Sequence, residues 1–197
     1  MVDSKHLSLT PQPPLFLLDR LGEAYDRSVF SCGQESLDRY FKTQATQDIK
    51  RHVANCFVAV ETASGRVAAY YTLAAASVPM TDLPAELTKK LPRYPSFAAA
   101  LIGRLAVDEN FQRRGLGGAL LADATHRIIA SAPAAHLILV DAKDEAAADF
   151  YRNHGFVPIV GRARTLVLPV TTALKATAAA AHNPERPYGS TRSINKQ

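Results

Sequence analysis

The sequence has few cysteines and no long hydrophobic run. Its two cysteines, Cys32 and Cys56, are too few for a disulfide framework and too far apart for a metal-ligand pair, and the six histidines show no ligand spacing. No apolar stretch approaches the roughly 18 residues of a membrane span, and the first residues lack a secretory signal pattern. We therefore expect a soluble, cytoplasmic protein with no metal and no membrane partner.

The charge is only modestly basic. The 197 residues contain 23 Lys and Arg against 18 Asp and Glu, a net charge of +5, and 47% are hydrophobic. This composition is typical of a globular protein and excludes disordered or collagen-like classes. The last residues carry a net +3 (four basic minus one acidic: Lys175, Arg186, Arg192, Lys196 against Glu185). A polyanion that binds the remaining body must therefore use local basic patches.

The chain divides into three parts. Residues 1–14 are polar and rich in proline, which predicts a flexible N-terminal arm, and residues 171–197 lack a periodic apolar face, which predicts a mobile basic tail. Between them, residues 15–170 alternate strand and helix patterns, so we expect one α/β domain with a mixed sheet.

Hydrophobic periodicity locates the elements of this domain. It predicts amphipathic helices over residues 36–51 and 116–131, and a third helix over residues 144–154 that ends at Gly155. Residues 56–61 and 67–76 predict a hairpin, and residues 79–95 an irregular excursion. Further strands are predicted over residues 100–107, 137–140 and 164–168.

One segment indicates phosphate chemistry. Between Gly103 and Leu121 a predicted strand leads through a short turn into a helix that opens with Gly115, Gly117 and Gly118. The first N–H groups of a helix lack internal partners and carry the positive end of the helix dipole, and glycine lets an anion approach closely. Two neighbouring arginines, Arg113 and Arg114, add positive charge. This pattern predicts a phosphate or pyrophosphate site.

The same residues exclude two common phosphate loops. Gly118 is followed by Ala119 and Leu120, whereas a P-loop needs Lys and Ser or Thr there, and a dinucleotide fingerprint needs a small residue at position 120. Instead, Gln112-x-x-Gly115-x-Gly117 resembles the pyrophosphate loop of the GNAT superfamily of N-acetyltransferases. The stretches Leu105-Ala-Val-Asp108 and Ala148-Asp-Phe-Tyr-Arg-Asn-His-Gly-Phe156 resemble its central strand and its late signature.

The resemblance covers roughly residues 53–168 and implies a fold, a cosubstrate and a site. The implied fold is a mixed central sheet with a splayed central strand pair, flanked by helices, and acetyl-CoA is the implied acetyl donor. Its pyrophosphate would bind chiefly to backbone N–H groups of Gln112, Arg113, Arg114, Gly115, Leu116, Gly117 and Gly118. Its pantetheine would pair with Leu105, Ala106 and Val107, and Tyr151 would be the general acid.

A second resemblance is to the GNAT toxins of bacterial toxin-antitoxin pairs. It rests on residues 30–41, 57–60, 69–77 and 103–108. It implies acetylation of the α-amino group of aminoacyl-tRNA, inhibition of translation, and a ribbon-helix-helix antitoxin as partner. An α-amine with a pKa near 8 is already partly neutral at pH 7, whereas a lysine amine with a pKa near 10.4 must first be deprotonated. This difference mildly favours an α-amino group as the acceptor. Basic residues that could frame a path for the tRNA are Lys89, Lys90, Arg93, Arg39 and Lys42, together with Lys50 and Arg51.

Several alternatives remain open at this point. The chain could be a GNAT acetyltransferase of a small amine or a protein N-terminus, or a non-catalytic interaction protein with the GNAT fold. A homodimer is allowed, although no sequence feature establishes it. The histidines His52, His126 and His154 are interpreted as structural or exposed, and no residue is identified as the general base.

Overall fold

A computed structural model describes residues 14–182 apart from residues 90 and 132. Its strands are β1 (Phe16–Arg20), β2 (Asn55–Glu61), β3 (Val67–Pro79), β4 (Ser96–Val107), β5 (Leu137–Asp141), β6 (Val157–Ile159) and β7 (Arg162–Pro169). Its helices are α1 (Glu35–Thr43), α2 (Ala45–Lys50), α3 (Ala85–Thr88), α4 (Leu116–Ala130), α5 (Glu145–Asn153) and α6 (Val170–His182). None of the helices described is long and apolar enough to cross a membrane.

The strands form one mixed sheet in the order β1-β2-β3-β4-β5-β7-β6. Every neighbouring pair is antiparallel except β4 and β5, which are parallel. The predicted mixed α/β sheet is therefore confirmed, and its parallel pair lies at the centre.

The central pair separates part-way along its length. β5 pairs with β4 only from Ala99 to Ile102, although β4 continues to Val107 and stays paired with β3. Since five residues of β4 lack a partner on the β5 side, the sheet is open there. This opening is the splayed strand pair that the sequence resemblance implies.

A bulge precedes the opening and sets which side chains point to which face. Thr72 of β3 pairs with Arg104, whereas the next residue, Leu73, pairs with Ile102, so Gly103 is the extra residue on β4. A Cβ on Gly103 would lie 3.3 Å from the Thr72 hydroxyl, which favours glycine at this position. The extra residue reverses the alternation, so that Arg104 points away from the face that Ile102 covers.

The two faces of the sheet are covered by different helices. The α4 face, packed by α4 and α5, buries a cluster that includes Ile102, Leu120 and Tyr151. The opposite α1 face, packed by α1 and α2, buries an aromatic cluster that includes Phe41 and Tyr70. A third cluster surrounds α3 where β4 begins.

The structure differs from the predicted elements at one helix and at two edge strands within residues 15–170. The helix predicted over residues 36–51 is broken at Gln44, whose φ of -113° departs from helical values. Tyr40, Phe41 and Ala45 on either side of the break are all buried. Strands β1 and β6 were not predicted, because they are short and lie at the two edges of the sheet.

The tail prediction is not met over residues 171–182, which belong to α6. Ala173 is buried in the α4-face cluster. The sequence of α6 is rich in alanine, which gives a weak periodic signal. Residues 1–13 and 183–197, including the predicted arm and most of the predicted tail charge, lie outside the described residues. The division at residues 15 and 170 stays a prediction.

Candidate active site

The loop that follows β4 is pinned by a buried carboxylate. Asp108 is 1% exposed and caps a 3-10 turn, Glu109–Phe111. Its carboxylate accepts from the backbone N–H of Ser31 (3.0 Å) and from the backbone and side-chain nitrogens of Asn110 (3.0 and 2.9 Å). Hydrogen bonds to a charged group are among the strong ones. The loop is thereby fixed to the segment that precedes α1.

Gln112 also holds the loop in place. Its side-chain nitrogen donates to the carbonyls of Val107 (3.0 Å) and Cys32 (3.2 Å). The Gln112 side chain therefore braces the loop, and only its backbone N–H is left for the predicted pyrophosphate contact. The Val107 carbonyl accepts this one hydrogen bond from Gln112 and has a second lone pair for a further partner.

The first turn of α4 is open to an anion. Gly115 is the N-cap in a left-handed conformation (φ 77°), no side chain caps the helix, and no acidic residue lies in its first turn. Arg113 is also left-handed (φ 61°), and both Arg113 and Arg114 are exposed. The Leu116 side chain is buried, so this residue offers its backbone alone. This arrangement of free N–H groups and two cations suits a diphosphate.

Two glycines let α5 approach the start of α4. A Cβ on Gly117 would lie 3.8 Å from the Phe150 ring, and one on Gly118 would lie 3.6 Å from Nε2 of His154. His154 donates from Nδ1 to the Phe150 carbonyl at 2.7 Å, since a carbonyl can only accept. This contact supports the structural interpretation of His154, and His52 and His126 are exposed as predicted.

Tyr151 lies on α5 in the α4-face cluster. It is 7% exposed, packed against Phe150 and Phe156 with ring centroids 5.2 and 5.5 Å away. Burial raises the pKa of Tyr151 to about 12, so the phenol is protonated at neutral pH. The side chains of Leu105 and Val107 pack against the same cluster, whereas Ala106 belongs to the α1-face cluster. The structure thus gathers Tyr151, the loop and the open end of β4.

The cysteines take no part in this chemistry. Burial raises the pKa of each thiol, Cys32 and Cys56, to about 12, so both are protonated at neutral pH and neither is an activated nucleophile. Over residues 14–182 without 90 and 132, no group of three or more His, Cys, Asp or Glu side chains could hold a metal ion.

The predicted tRNA-binding residues do not form one patch. Arg39 and Lys42 are exposed on α1, which lies over the open end of β4. Lys89 and Arg93 are exposed near α3, which packs where β4 begins. Lys90 lies outside the described residues.

Two residues of the site were missed by sequence reasoning. The first is Asp108, whose only sequence signal is that an Asp side chain favours a turn by accepting from the backbone N–H two residues later, here that of Asn110. The second is Arg104. Its guanidinium carbon lies 3.5 Å from the ring centroid of Tyr40 on the α1 face. The sequence offered only its place in the Gly103-Arg-Leu-Ala-Val-Asp108 motif, because the bulge that orients it is a tertiary feature.

Comparison with known families and structures agrees with this geometry. The family model described as acetyltransferase (GNAT) domain matches residues 53–158, more than half of the chain. The chain belongs to the GNAT acetyltransferases. A tRNA-acetylating toxin of Mycobacterium tuberculosis is 37% identical over 139 residues, which are 70% of this chain and 81% of that toxin.

Two solved structures resemble this GNAT acetyltransferase along most of its length. One is AtaT complexed with acetyl-methionyl-tRNAfMet, with a TM-score of 0.76, 27% identity, and coverage of 82% of this chain and 99% of that chain. The other is a variant AtaT toxin bound to the C-terminus of the antitoxin AtaR, with a TM-score of 0.70, 25% identity, and coverage of 83% and 98%.

The site fits acetyl-CoA, the donor of this family. The uncapped first turn of α4 and the cations Arg113 and Arg114 match a pyrophosphate in charge. The unpaired side of β4 beyond Ile102 offers backbone groups to an extended pantetheine. The acetyltransferase therefore has both features that the donor requires.

Proposed function

We propose that this GNAT acetyltransferase is a toxin that transfers the acetyl group of acetyl-CoA to the α-amino group of an aminoacyl-tRNA and so inhibits translation. The observation that carries the proposal is the 37% identity to the M. tuberculosis tRNA-acetylating toxin, which extends over 81% of that protein. The resemblance to AtaT complexed with acetyl-methionyl-tRNAfMet supports it.

The α4 face holds the donor in this proposal. Backbone N–H groups from Gln112 to Gly118, with Arg113 and Arg114, bind the pyrophosphate. Backbone groups of Leu105 and Val107 face the pantetheine, whereas the register turns those of Ala106 toward β3. Acetyl-CoA supplies an acyl thioester, whose departing thiolate needs a proton. Fixed N–H groups beside a carbonyl stabilise developing negative charge without reorganising.

Tyr151 donates the required proton. Its phenol is protonated because burial raises its pKa to about 12. A thiol leaving in the same dry surroundings is also harder to ionise, because burial penalises the thiolate as it penalises the phenolate. Tyr151 therefore acts as general acid.

The acceptor amine needs little help from the protein. An α-amino group has a pKa of about 8 and is partly neutral at pH 7, so it can attack without a strong base. The proton that its nitrogen loses on forming the amide passes to water, and a proton from water restores the Tyr151 phenol. Since the loop and Tyr151 occupy the α4 face, the open end of β4 leaves the α1 face for the acceptor.

An aminoacyl-tRNA substrate implies basic contacts, an antitoxin partner and a location. The tRNA contacts are Arg39 and Lys42 near the site, with Lys89, Lys90 and Arg93 farther along the molecule, and each phosphate contact makes binding weaker at higher salt. A ribbon-helix-helix antitoxin neutralises the toxin, in line with the AtaT and AtaR complex. The substrate implies a cytoplasmic location, and a homodimer stays a prediction.

Radiolabelled acetyl-CoA tests the proposed function directly. The purified protein is incubated with it and with charged tRNA, the same tRNA deacylated, or peptides that carry a free N-terminus. We expect label only on charged tRNA, released by mild base as an N-acetyl amino acid. Label on peptides alone would contradict the tRNA substrate and favour a protein N-terminus, and no label on any amine would favour a non-catalytic interaction protein.

A further inference from the structure

Arg104 has an uncommon environment for an arginine. It is half-buried on the α1 face, with its guanidinium 3.5 Å from the centre of the Tyr40 ring. Within the described part of the chain its guanidinium donates no hydrogen bond and forms no ion pair. A guanidinium carries five N–H donors, and leaving donors unsatisfied away from bulk water is costly.

Arg127 shows how this fold satisfies an arginine elsewhere. Its guanidinium also lies over an aromatic ring, that of Phe57, at 4.3 Å. However, its Nε also donates to the carboxylate of Asp123 at 2.8 Å. Arg127 thus has a carboxylate partner and Arg104 has none within the described residues. This difference indicates that the N–H donors of Arg104 bind a group from outside the protein.

The surroundings hold Arg104 in a fixed orientation. The Tyr40 ring beneath it is itself fixed, because its hydroxyl donates to Asp48 at 2.9 Å and its ring stacks near Tyr70. Asp48 is thereby engaged by Tyr40. The arginine is thus positioned by stacking alone, with its hydrogen-bonding edge open.

Arg104 lies on the face of the sheet from which the acceptor amine would reach the opening. It precedes Leu105 at the point where β4 and β5 have separated. The bulge at Gly103 turns it toward the α1 face, opposite the cluster that contains Tyr151. A substrate that reaches the opening from this face would pass Arg104 before its amine meets the donor.

We propose that Arg104 binds an oxygen group at the aminoacylated 3′ end of the tRNA and so positions the amine for attack. This inference rests on the proposed function. The forked guanidinium suits a phosphate oxygen or the carbonyl oxygen of the amino-acid ester, and both lie close to the amine in this substrate.

The test compares three variants with the wild type. Arg104→Met removes the donors and keeps an unbranched apolar side chain over Tyr40, and Arg104→Lys restores charge without the fork. The matched control is Arg27→Met on the same face. Arg27 also lies over a ring, that of Phe41, but it donates to the Phe41 carbonyl at 2.8 Å. Melting temperature and acetyl-CoA affinity are measured for each protein.

We expect Arg104→Met to lower kcat/KM for charged tRNA by about tenfold or more, mainly through KM, as for loss of a charge-assisted contact. Arg104→Lys should recover only part of this loss, and acetyl-CoA affinity should stay within about twofold. Arg27→Met should lower the melting temperature with little change in KM.

A second acceptor, aminoacyl-adenosine, separates the two oxygen sources. It has the ester carbonyl but no phosphate, so an equal loss on both acceptors identifies the carbonyl, and a loss confined to tRNA identifies the phosphate. Unchanged kcat/KM in Arg104→Met, or an equal loss of acetyl-CoA affinity, would overturn the role of Arg104 alone. A wild type that fails to acetylate charged tRNA would overturn the proposed function and this inference together.

Discussion

Two consecutive tyrosines, one on each side of the sheet, show how the two faces differ in the contacts that hold them. Tyr70 and Tyr71 are both fully buried and point in opposite directions. On the α4 face, the Tyr71 hydroxyl donates to Asp123, which also accepts from Arg127. On the α1 face, the Tyr70 ring stacks on Phe41 with centroids 4.2 Å apart. Both hydroxyls have partners, but the Tyr71 hydroxyl joins a charged pair, Asp123 and Arg127, whereas the Tyr70 hydroxyl donates to the backbone carbonyl of Leu37 at 2.9 Å.

This difference agrees with the proposed function, in which the α4 face binds acetyl-CoA and the α1 face receives the acceptor. The α4 face presents a loop held by directional hydrogen bonds, which suits a constant ligand such as acetyl-CoA. The α1 face is packed by buried aromatic rings and carries the half-buried Arg104, whose guanidinium donates no hydrogen bond within the described residues. In the proposed function, donor and acceptor are therefore bound by different faces of the sheet, which are joined at the open end of β4 and through the contact of Asp108 with Ser31.

The largest effect is expected from Tyr151→Phe. The variant removes one oxygen from the α4 face and should lower kcat for acetyl transfer by roughly 10²-fold to 10⁴-fold, the range for loss of a general acid. Acetyl-CoA affinity and melting temperature should hardly change. Steady-state rates and calorimetric titration measure these quantities, and an unchanged kcat would remove Tyr151 as the acid.

Asp108→Ala tests the link between the two faces. Asp108 joins the loop to Ser31, and its loss leaves three N–H groups without their acceptor. We expect the free energy of unfolding to fall by about 2–3 kcal/mol, as measured by urea denaturation. Glu86→Ala, on an exposed acidic residue of α3 that is distant from this loop, is the control. Equal stability of the two variants would show that the link is not important.

Gly117→Val should weaken the binding of acetyl-CoA without affecting the α1 face. A branched side chain in the first turn would obstruct a pyrophosphate and contact Phe150, so we expect acetyl-CoA affinity to fall by about tenfold, or about 1.4 kcal/mol. Ala119→Val is the control because Ala119 is exposed two residues later on the same helix. Similar affinities of both variants would argue against this loop as the binding site.

Reversing the charge of the predicted tRNA-binding residues should affect the binding of charged tRNA and not that of a small acceptor. Reversing Lys89, Lys90 and Arg93 to Glu should raise KM for charged tRNA and reduce the salt dependence of binding by about one unit of slope per lost phosphate contact. Reversing Arg39 and Lys42 should cost more, since α1 lies closer to the opening. Acetylation of aminoacyl-adenosine is the control, and unchanged acetylation of charged tRNA would exclude the reversed patch.

The pH profile should show the smallest effect. Because burial raises the pKa of Tyr151 to about 12, the acid keeps its proton from pH 7 to 10. Initial acetylation rates should rise as the acceptor amine deprotonates around pH 8 and then stay level. A decline with a midpoint below pH 10 would contradict the assignment of an acid with a raised pKa.

Sequence reasoning recovered the fold and the loop but not the connections between them. The glycines from Gly115 to Gly118 are a local signal, because a helix start and a tight turn depend on neighbouring residues. The contact between Asp108 and Ser31 spans 77 positions, and the orientation of Arg104 depends on a bulge against β3. Such features arise from tertiary pairing and leave no periodic pattern. Helix α6 was missed because alanine gives little amphipathic contrast.

Hydrogen exchange tests the separation of the two faces most directly. The Tyr151→Phe variant, which should bind both substrates without turnover, is measured alone, with acetyl-CoA and with charged tRNA. We predict that acetyl-CoA slows exchange over residues 112–118, whereas charged tRNA slows it in α1, α2 and around Arg104. Protection of residues 112–118 by charged tRNA, with α1 and α2 unchanged, would show that donor and acceptor do not bind to separate faces.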